Sequence, residues 1–152
     1  MNAFTPNKPA ASASAVLALV NPLCSSLDAE RVAQRCNKLA FGLPDNPLAH
    51  FVCLNLYVRA ALEAFMGQSA RTAFTPGVLA ADITEGGNTR ETFRPARWLL
   101  QDGSVMLTPL RWSNSGDLTS LATTNALIRV TAGAEQFQRG SRVEFVRTER
   151  SG

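Results

Sequence analysis

The chain has 152 residues, 45% of them hydrophobic, and a formal net charge of +3, enough apolar content for a buried core in one domain or two small ones. Arg supplies nearly all the positive charge, Lys8 and Lys38 being the only lysines, and without a run of like charges the surface excludes a nucleic-acid patch while leaving capture of a small anion open. Three widely spaced cysteines, Cys24, Cys36 and Cys53, and a single His50 exclude a disulfide framework, a clustered zinc site and a Ser-His-Asp triad within one chain.

Residues 1–26 open with Pro, Ala and Ser around a short apolar run, Ala15 to Val20, which Asn21-Pro22 interrupts. A membrane span needs about 20 residues and a secretory signal a positive start. The segment therefore reads as a disordered leader on a cytoplasmic protein, with no membrane partner. From Leu27 to Asn37 no apolar period is legible. Leu39-Ala40-Phe41-Gly42-Leu43, closed by Pro44, predicts a buried strand running into a loop.

Asn46 is placed to cap a helix with its side-chain carbonyl, and Pro47 suits the first helical position, where its missing N–H costs nothing. Leu48, Phe51, Val52, Leu56, Ala60, Leu62, Phe65 and Met66 then recur at helical intervals, and Gly67 predicts a left-handed cap. The rigid Gly42-Leu43-Pro44-Asp45-Asn46-Pro47 loop in front predicts backbone N–H groups presented outward at the mouth of this helix. One strand and one helix cannot cover each other's apolar faces, so residues 27–67 read as a fragment of an α/β layer.

Residues 68–77 read as a linker. Beyond them Val78 to Ala81, Glu91 to Leu100, Ser104 to Leu110, Ala126 to Val130 and Arg142 to Arg147 are short β-prone segments. Asp102-Gly103 predicts a hairpin turn and Arg139-Gly140 a second turn. Asp117 to Asn125 reads as a helical turn with Leu118 and Leu121 pointing inward. Residues 78–149 are thus expected to form a small, mostly antiparallel β-domain resembling a partly closed barrel, and the fold class is α+β. By residue type alone Pro44 and Pro47 shape a turn and start a helix, Asn46 is an N-cap, and Ser113-Asn114-Ser115-Gly116 is a polar turn.

Phe41-Gly42-Leu43-Pro44-Asp45-Asn46-Pro47-Leu48 resembles the Gly-Leu-Pro-Gly-Asn-Pro-Val loop of the molybdopterin molybdotransferases, the MoeA and gephyrin E-domain family. Leu56 to Leu62 is similar to the helix that follows that loop. Arg90, Phe93, Ala96 and Arg97, then Gly103, Pro109, Ser115-Gly116, Leu118, Ser120-Leu121-Ala122, Asn125 to Ile128, Gly133, Gly140 and Val143 fall in family order. The resemblance covers roughly residues 41–149 and only the family's C-terminal part. Asp45 stands where the family has glycine, which removes the residue that allows positive φ and adds a carboxylate that repels a nearby anion.

The resemblance implies that residues 27–67 are a remnant of the molybdopterin-binding α/β domain and residues 78–149 the C-terminal β-domain. It implies a role in molybdenum cofactor biosynthesis, with magnesium-dependent insertion of molybdate into adenylylated molybdopterin as the family activity. The isolated chain is expected not to catalyse this step, and no catalytic or metal-binding residue is assigned. Lys38, Pro44, Asn46, Pro47, Ser115 and Gly116 are the implied cofactor-binding residues. Implied partners are molybdopterin or its adenylylated form, molybdate, and a second copy or a partner protein. Two other readings are a non-catalytic interaction module, as gephyrin-type relatives use this region to hold partner peptides, and a degenerate gene fragment.

Overall fold

A computed structural model describes residues 32–35, 38–68, 74–84, 89–111, 117–134 and 136–148, with backbone only for residues 32–35 and Lys38. The expected leader and the Ser113–Gly116 turn lie outside the described residues. The described chain forms two compact units, one of the first two strands and residues 53–68, the other of residues 44–52 and 74–148.

In the first unit β1 (Val32–Arg35) and β2 (Lys38–Phe41) pair antiparallel, Val32 opposite Phe41 and Arg35 opposite Lys38. The expected buried strand is instead one arm of a hairpin, with Ala40 and Gly42 exposed and Leu39 and Phe41 half-buried. A two-stranded ribbon offers each strand one neighbour and cannot enclose it.

Helix α1 (Pro47–Phe65) begins and ends where the sequence indicates. Its close is a complete Schellman motif: Gly67 sits at φ 71°, its N–H donates to Ala64 O at 3.0 Å, and Gln68 N–H donates to Glu63 O at 2.9 Å. The interior differs from a uniform helix. Leu54–Val58 is a π segment between α segments Pro47–Cys53 and Arg59–Phe65. A π turn holds about one residue more than an α turn, so the phase of everything after it slips. Val52, Leu56 and Ala60 are buried as the spacing predicts, but Ala61 and Ala64 take the inner positions that spacing gave to Leu62 and Met66. By length and composition α1 could cross a membrane, yet half of its apolar window is buried inside the protein, as in a core helix.

The second unit is built on a closed barrel in the order β3 (Thr75–Leu79), β6 (Ser104–Pro109), β5 (Thr92–Gln101), β7 (Ala126–Val130) and β9 (Arg142–Arg147). Only β3 and β6 run parallel; the other neighbours are antiparallel. The short strands β4 (Ile83–Thr84) and β8 (Gln136–Phe137) pair separately. Closure leaves the barrel no long unpaired edge. Leu79, Ile83, Ala96, Leu107, Ala126, Ile128, Val130, Val143 and Phe145 fill it, with Trp98, Val105, Ala134 and Phe137 packed against them. Side chains alternate along a strand, so Pro95, Leu127 and Val146, paired in register across three strands, face the other way, and they are buried as well.

The hairpin turn is where expected, with Asp102 at φ 50° and Gly103 at φ 77°, the two positive values a primed turn requires. Two local readings are corrected. Strand β3 starts at Thr75, so Thr75, Pro76 and Gly77 belong to the barrel and not to the linker, Pro76 lying opposite Glu144 and Gly77 opposite Val143. Helix α2 (Leu118–Thr123) buries none of its residues, and Leu118 is 63% exposed instead of pointing inward. It is held by polar contacts: Asp117 Oδ1 accepts from Ser120 N–H at 3.0 Å, and Thr124 Oγ1 donates to Ser120 O at 2.8 Å.

Candidate functional site

The loop before α1 is organised by Asn46. Its Oδ1 accepts from Leu48 N–H at 3.0 Å and Ala49 N–H at 3.3 Å, and its main-chain carbonyl accepts from His50 N–H at 2.8 Å. Pro47 has no N–H to offer. The first turn of the helix is therefore satisfied from within, and the expectation of outward-facing N–H groups is not met. An anion at this helix mouth competes with the Asn46 cap, and the exposed Asp45 carboxylate adds repulsion. Asp45 itself adopts no positive φ, so the glycine of the family loop is not needed for this backbone.

His50 is exposed, and its Nδ1 lies 3.3 Å from Pro44 O. In the tautomer protonated at Nδ1 the ring donates to that carbonyl and ties the loop to the second turn of the helix. Pro44 and Pro47 are half-buried and Asn46 is exposed. Loop and helix start thus bring together Pro44, Asn46 and Pro47. Lys38 lies on β2, in the other unit, and Ser115 and Gly116 lie outside the described residues.

Asn46→Ala is expected to destabilise the start of α1 by about 1 kcal/mol, the usual value of such a cap. Asn46→Asp, which keeps an acceptor oxygen, is expected to lose far less. Amide exchange at Leu48 and Ala49 reads the difference, and equal protection in both variants would show that the cap is not what holds the turn.

The strongest charge arrangement on the barrel is nonlocal. Arg129 on β7 donates from Nε to Glu91 Oε2 at 2.8 Å, places Nη2 2.7 Å from the same oxygen, and donates from Nη1 to Glu144 Oε2 at 2.9 Å. The hydrogen bond to Glu91 raises the Arg129 pKa, opposed by burial and helped by Glu144. The guanidinium carbon also sits 4.8 Å from the centroid of Phe74, which stacks on Phe93 at 6.3 Å. A second cation–π pair sets the Arg147 guanidinium 4.1 Å from the ring centre of Trp98. These groups tie strands together. Among the described residues no three His, Cys, Asp or Glu side chains converge as a metal ion requires. The described residues therefore do not fit a magnesium site.

Comparison with known proteins supplies the family. Residues 76–147 match the MoeA C-terminal region (domain IV). The molybdopterin molybdenumtransferase of Staphylococcus epidermidis is 30% identical over 121 residues, 78% of this chain and 28% of that protein. The Bacillus subtilis molybdopterin molybdenumtransferase is 29% identical over 116 residues, 76% of this chain and 27% of its own length. The chain thus spans little more than a quarter of these relatives. A molybdopterin biosynthesis MoeA protein from Pyrococcus horikoshii shares the fold at a TM-score of 0.60 and 20% identity, over 80% of this chain and 29% of the other. The molybdenum cofactor biosynthesis protein from Pyrococcus furiosus gives a TM-score of 0.53 at 26% identity, over 70% of this chain and 38% of the other. The chain thus carries, in its closed barrel, a MoeA C-terminal region.

Proposed function

We propose that the protein serves molybdenum cofactor biosynthesis by carrying the C-terminal barrel of a molybdopterin molybdotransferase. The observation that supports this is the match of residues 76–147, the barrel itself, to the MoeA C-terminal region. Molybdopterin in its adenylylated form and molybdate are the proposed substrates of a complete subunit, which hydrolyses the adenylate as molybdenum is inserted. Magnesium is assigned to the part of the relatives this chain does not match. A cytoplasmic setting suits this chemistry.

Within this chain, Pro44 and Pro47 fix the approach to α1 and Asn46 holds its first turn, so this loop contributes a shaped wall. Catalysis by the chain alone is not expected, because the reaction needs a metal site, an adenylate pocket and aligned donors in one cleft. Titration calorimetry of the full chain with adenylylated molybdopterin tests the reading. Micromolar binding that weakens in Asn46→Ala supports it, as does the absence of turnover by the chain alone. No binding by well-folded protein removes the loop from the cofactor path, and turnover by the chain alone removes the statement about catalysis.

A second reading, an interaction module, is favoured by the apolar side chains that α1 leaves exposed.

A further inference from the structure

Arg147 and Trp98 meet on the inner face of the barrel, at the end from which the β5–β6 hairpin extends. Ala96, Ala126 and Arg147 stand opposite one another across β5, β7 and β9, so the three share a face, and both alanines belong to the buried core. Trp98 lies two residues beyond Ala96 on β5 and faces the same way. The small side chains of Ala96 and Ala126 leave room for the Arg147 guanidinium to cross β7, and it comes to rest 4.1 Å from the centre of the Trp98 ring. Trp98 is itself held through its main chain by the Asn125 amide.

The charge of Arg147 is not neutralised. Arg129, which also rests on an aromatic ring, is bound by Glu91 and Glu144, and Arg59 is paired with Glu63. Among the described residues no carboxylate lies within ion-pair distance of Arg147. Its Nε is buried without a hydrogen-bond partner, while Nη1 and Nη2 are not shut off in this way. Trp98 Nε1 is likewise buried and unpartnered. A half-buried guanidinium with no counter-ion has lost water contacts that only an acceptor restores. With its face fixed on an indole and its outer edge open, it is a pre-organised fork that matches the two oxygens of a carboxylate. Apolar surface adjoins it: Leu100, opposite Val105, lies on the same face two residues beyond Trp98 and is 67% exposed.

We infer that the Arg147–Trp98 end of the barrel is a binding site for a small carboxylate that carries an apolar body. Arg147 Nη1 and Nη2 take the two oxygens, and the body lies against Leu100 of the hairpin. Leu100 favours such a molecule over inorganic phosphate, which has no apolar part to cover that side chain. Neither Arg147 nor Trp98 belongs to the loop that begins α1, so the site stands whether or not that loop meets a cofactor.

Trp98 is its own reporter. In the full chain carrying Trp112→Phe it is the only tryptophan, and its emission is followed while cyclohexanecarboxylate is added at fixed ionic strength. A saturable change is expected, with half-saturation at about 1–10 mM, the order that a ligand of this size reaches. The neutral amide of the same ring and inorganic phosphate are expected to bind about tenfold more weakly or worse. Arg147→Lys keeps the positive charge but not the fork and is expected to weaken the carboxylate about tenfold. Arg147→Met, which keeps only the apolar stem, is expected to abolish binding, with circular dichroism confirming that each variant is folded. Leu100→Ser changes an exposed side chain and keeps the test open should both Arg147 variants unfold; it is expected to weaken the carboxylate about threefold and leave phosphate unchanged. No saturable change in the folded parent, a response to the amide or to phosphate as strong as to the carboxylate, or binding indifferent to Arg147→Lys, Arg147→Met or Leu100→Ser overturns the inference.

Discussion

Replacing Gly77 by alanine is expected to destabilise the barrel by about 1–3 kcal/mol, the range for overpacking a filled core. Gly77 lies on β3, next to the residues that pair with β6 in the one parallel contact of the barrel, where Val78 faces Met106 and Leu79 faces Leu107. A Cβ at this position stands 2.6 Å from Leu107 Cδ1, 3.1 Å from Leu107 Cγ and 3.3 Å from Phe145 Cδ1. Leu107 and Phe145 are both fully buried and both belong to the central cluster, so neither has open space to move into. The backbone at Gly77 is not in the left-handed region, and alanine meets no conformational strain there. Were the space free, the substitution would stabilise by about 0.4–1 kcal/mol, because it restricts the unfolded chain. The sign of the change in denaturant unfolding therefore reports the steric contact. Adding Leu107→Val to Gly77→Ala is expected to give a loss smaller than the sum of the two single changes by about 0.5 kcal/mol or more, since one shortens the side chain the other strikes. Strict additivity, or a gain in stability from Gly77→Ala alone, would place the strain elsewhere.

Gly77 also shows why part of this fold is hidden in the sequence. Read locally, Pro76-Gly77 is turn material, and only the contact with Leu107, far along the chain, explains a glycine on a strand. Elements whose causes are local are legible. The Asn46 cap, Pro47 at the first helical position, the Gly67 close of α1 and the Asp102-Gly103 hairpin each follow from a few adjacent residues. Strands β7 and β9 are legible as well, because each has a compact apolar pattern bounded by polar residues. The facing of Leu62 and Met66 is not, since spacing assumes a uniform turn and the π segment breaks it. At the candidate site the cap was readable, but its consequence, that the Leu48 and Ala49 N–H groups are occupied by Asn46 and not presented outward, was not. The Arg129 cluster had no sequence signal at all. Glu91, Arg129 and Glu144 meet because β7 pairs with β5 on one side and β9 on the other, and register of that kind is a tertiary outcome.

Asn125→Ala is expected to cost about 2–3 kcal/mol, more than the apparent exposure of a loop residue suggests. Asn125 immediately precedes β7, whose register with β5 ends at Ala126 opposite Ala96. Its main-chain N–H donates to Ala96 O at 3.2 Å, and its carbonyl accepts from Thr148 N–H at 3.1 Å. The side chain then does for Trp98 what the next residue of a strand would do: Oδ1 accepts from Trp98 N–H at 2.6 Å and Nδ2 donates to Trp98 O at 3.2 Å. An amide is the one side-chain group that presents an acceptor and a donor side by side as a peptide does, so it extends the β5–β7 ladder beyond its last residue pair. Alanine removes both bonds at about 1 kcal/mol each and leaves the half-buried main chain of Trp98 without these partners. The loss reaches further because the Trp98 side chain packs against the barrel core and carries Arg147 on its ring. Asn125→Asp separates the two bonds. A carboxylate can still accept from Trp98 N–H but turns an oxygen toward Trp98 O, so the amide of Trp98 is expected to keep its protection from hydrogen exchange in the aspartate variant and lose it in the alanine variant, with stability reduced in both. If Asn125→Ala unfolds within about 0.5 kcal/mol of the parent, the range of an ordinary surface change, the amide is not extending the ladder and Trp98 is held by its packing alone.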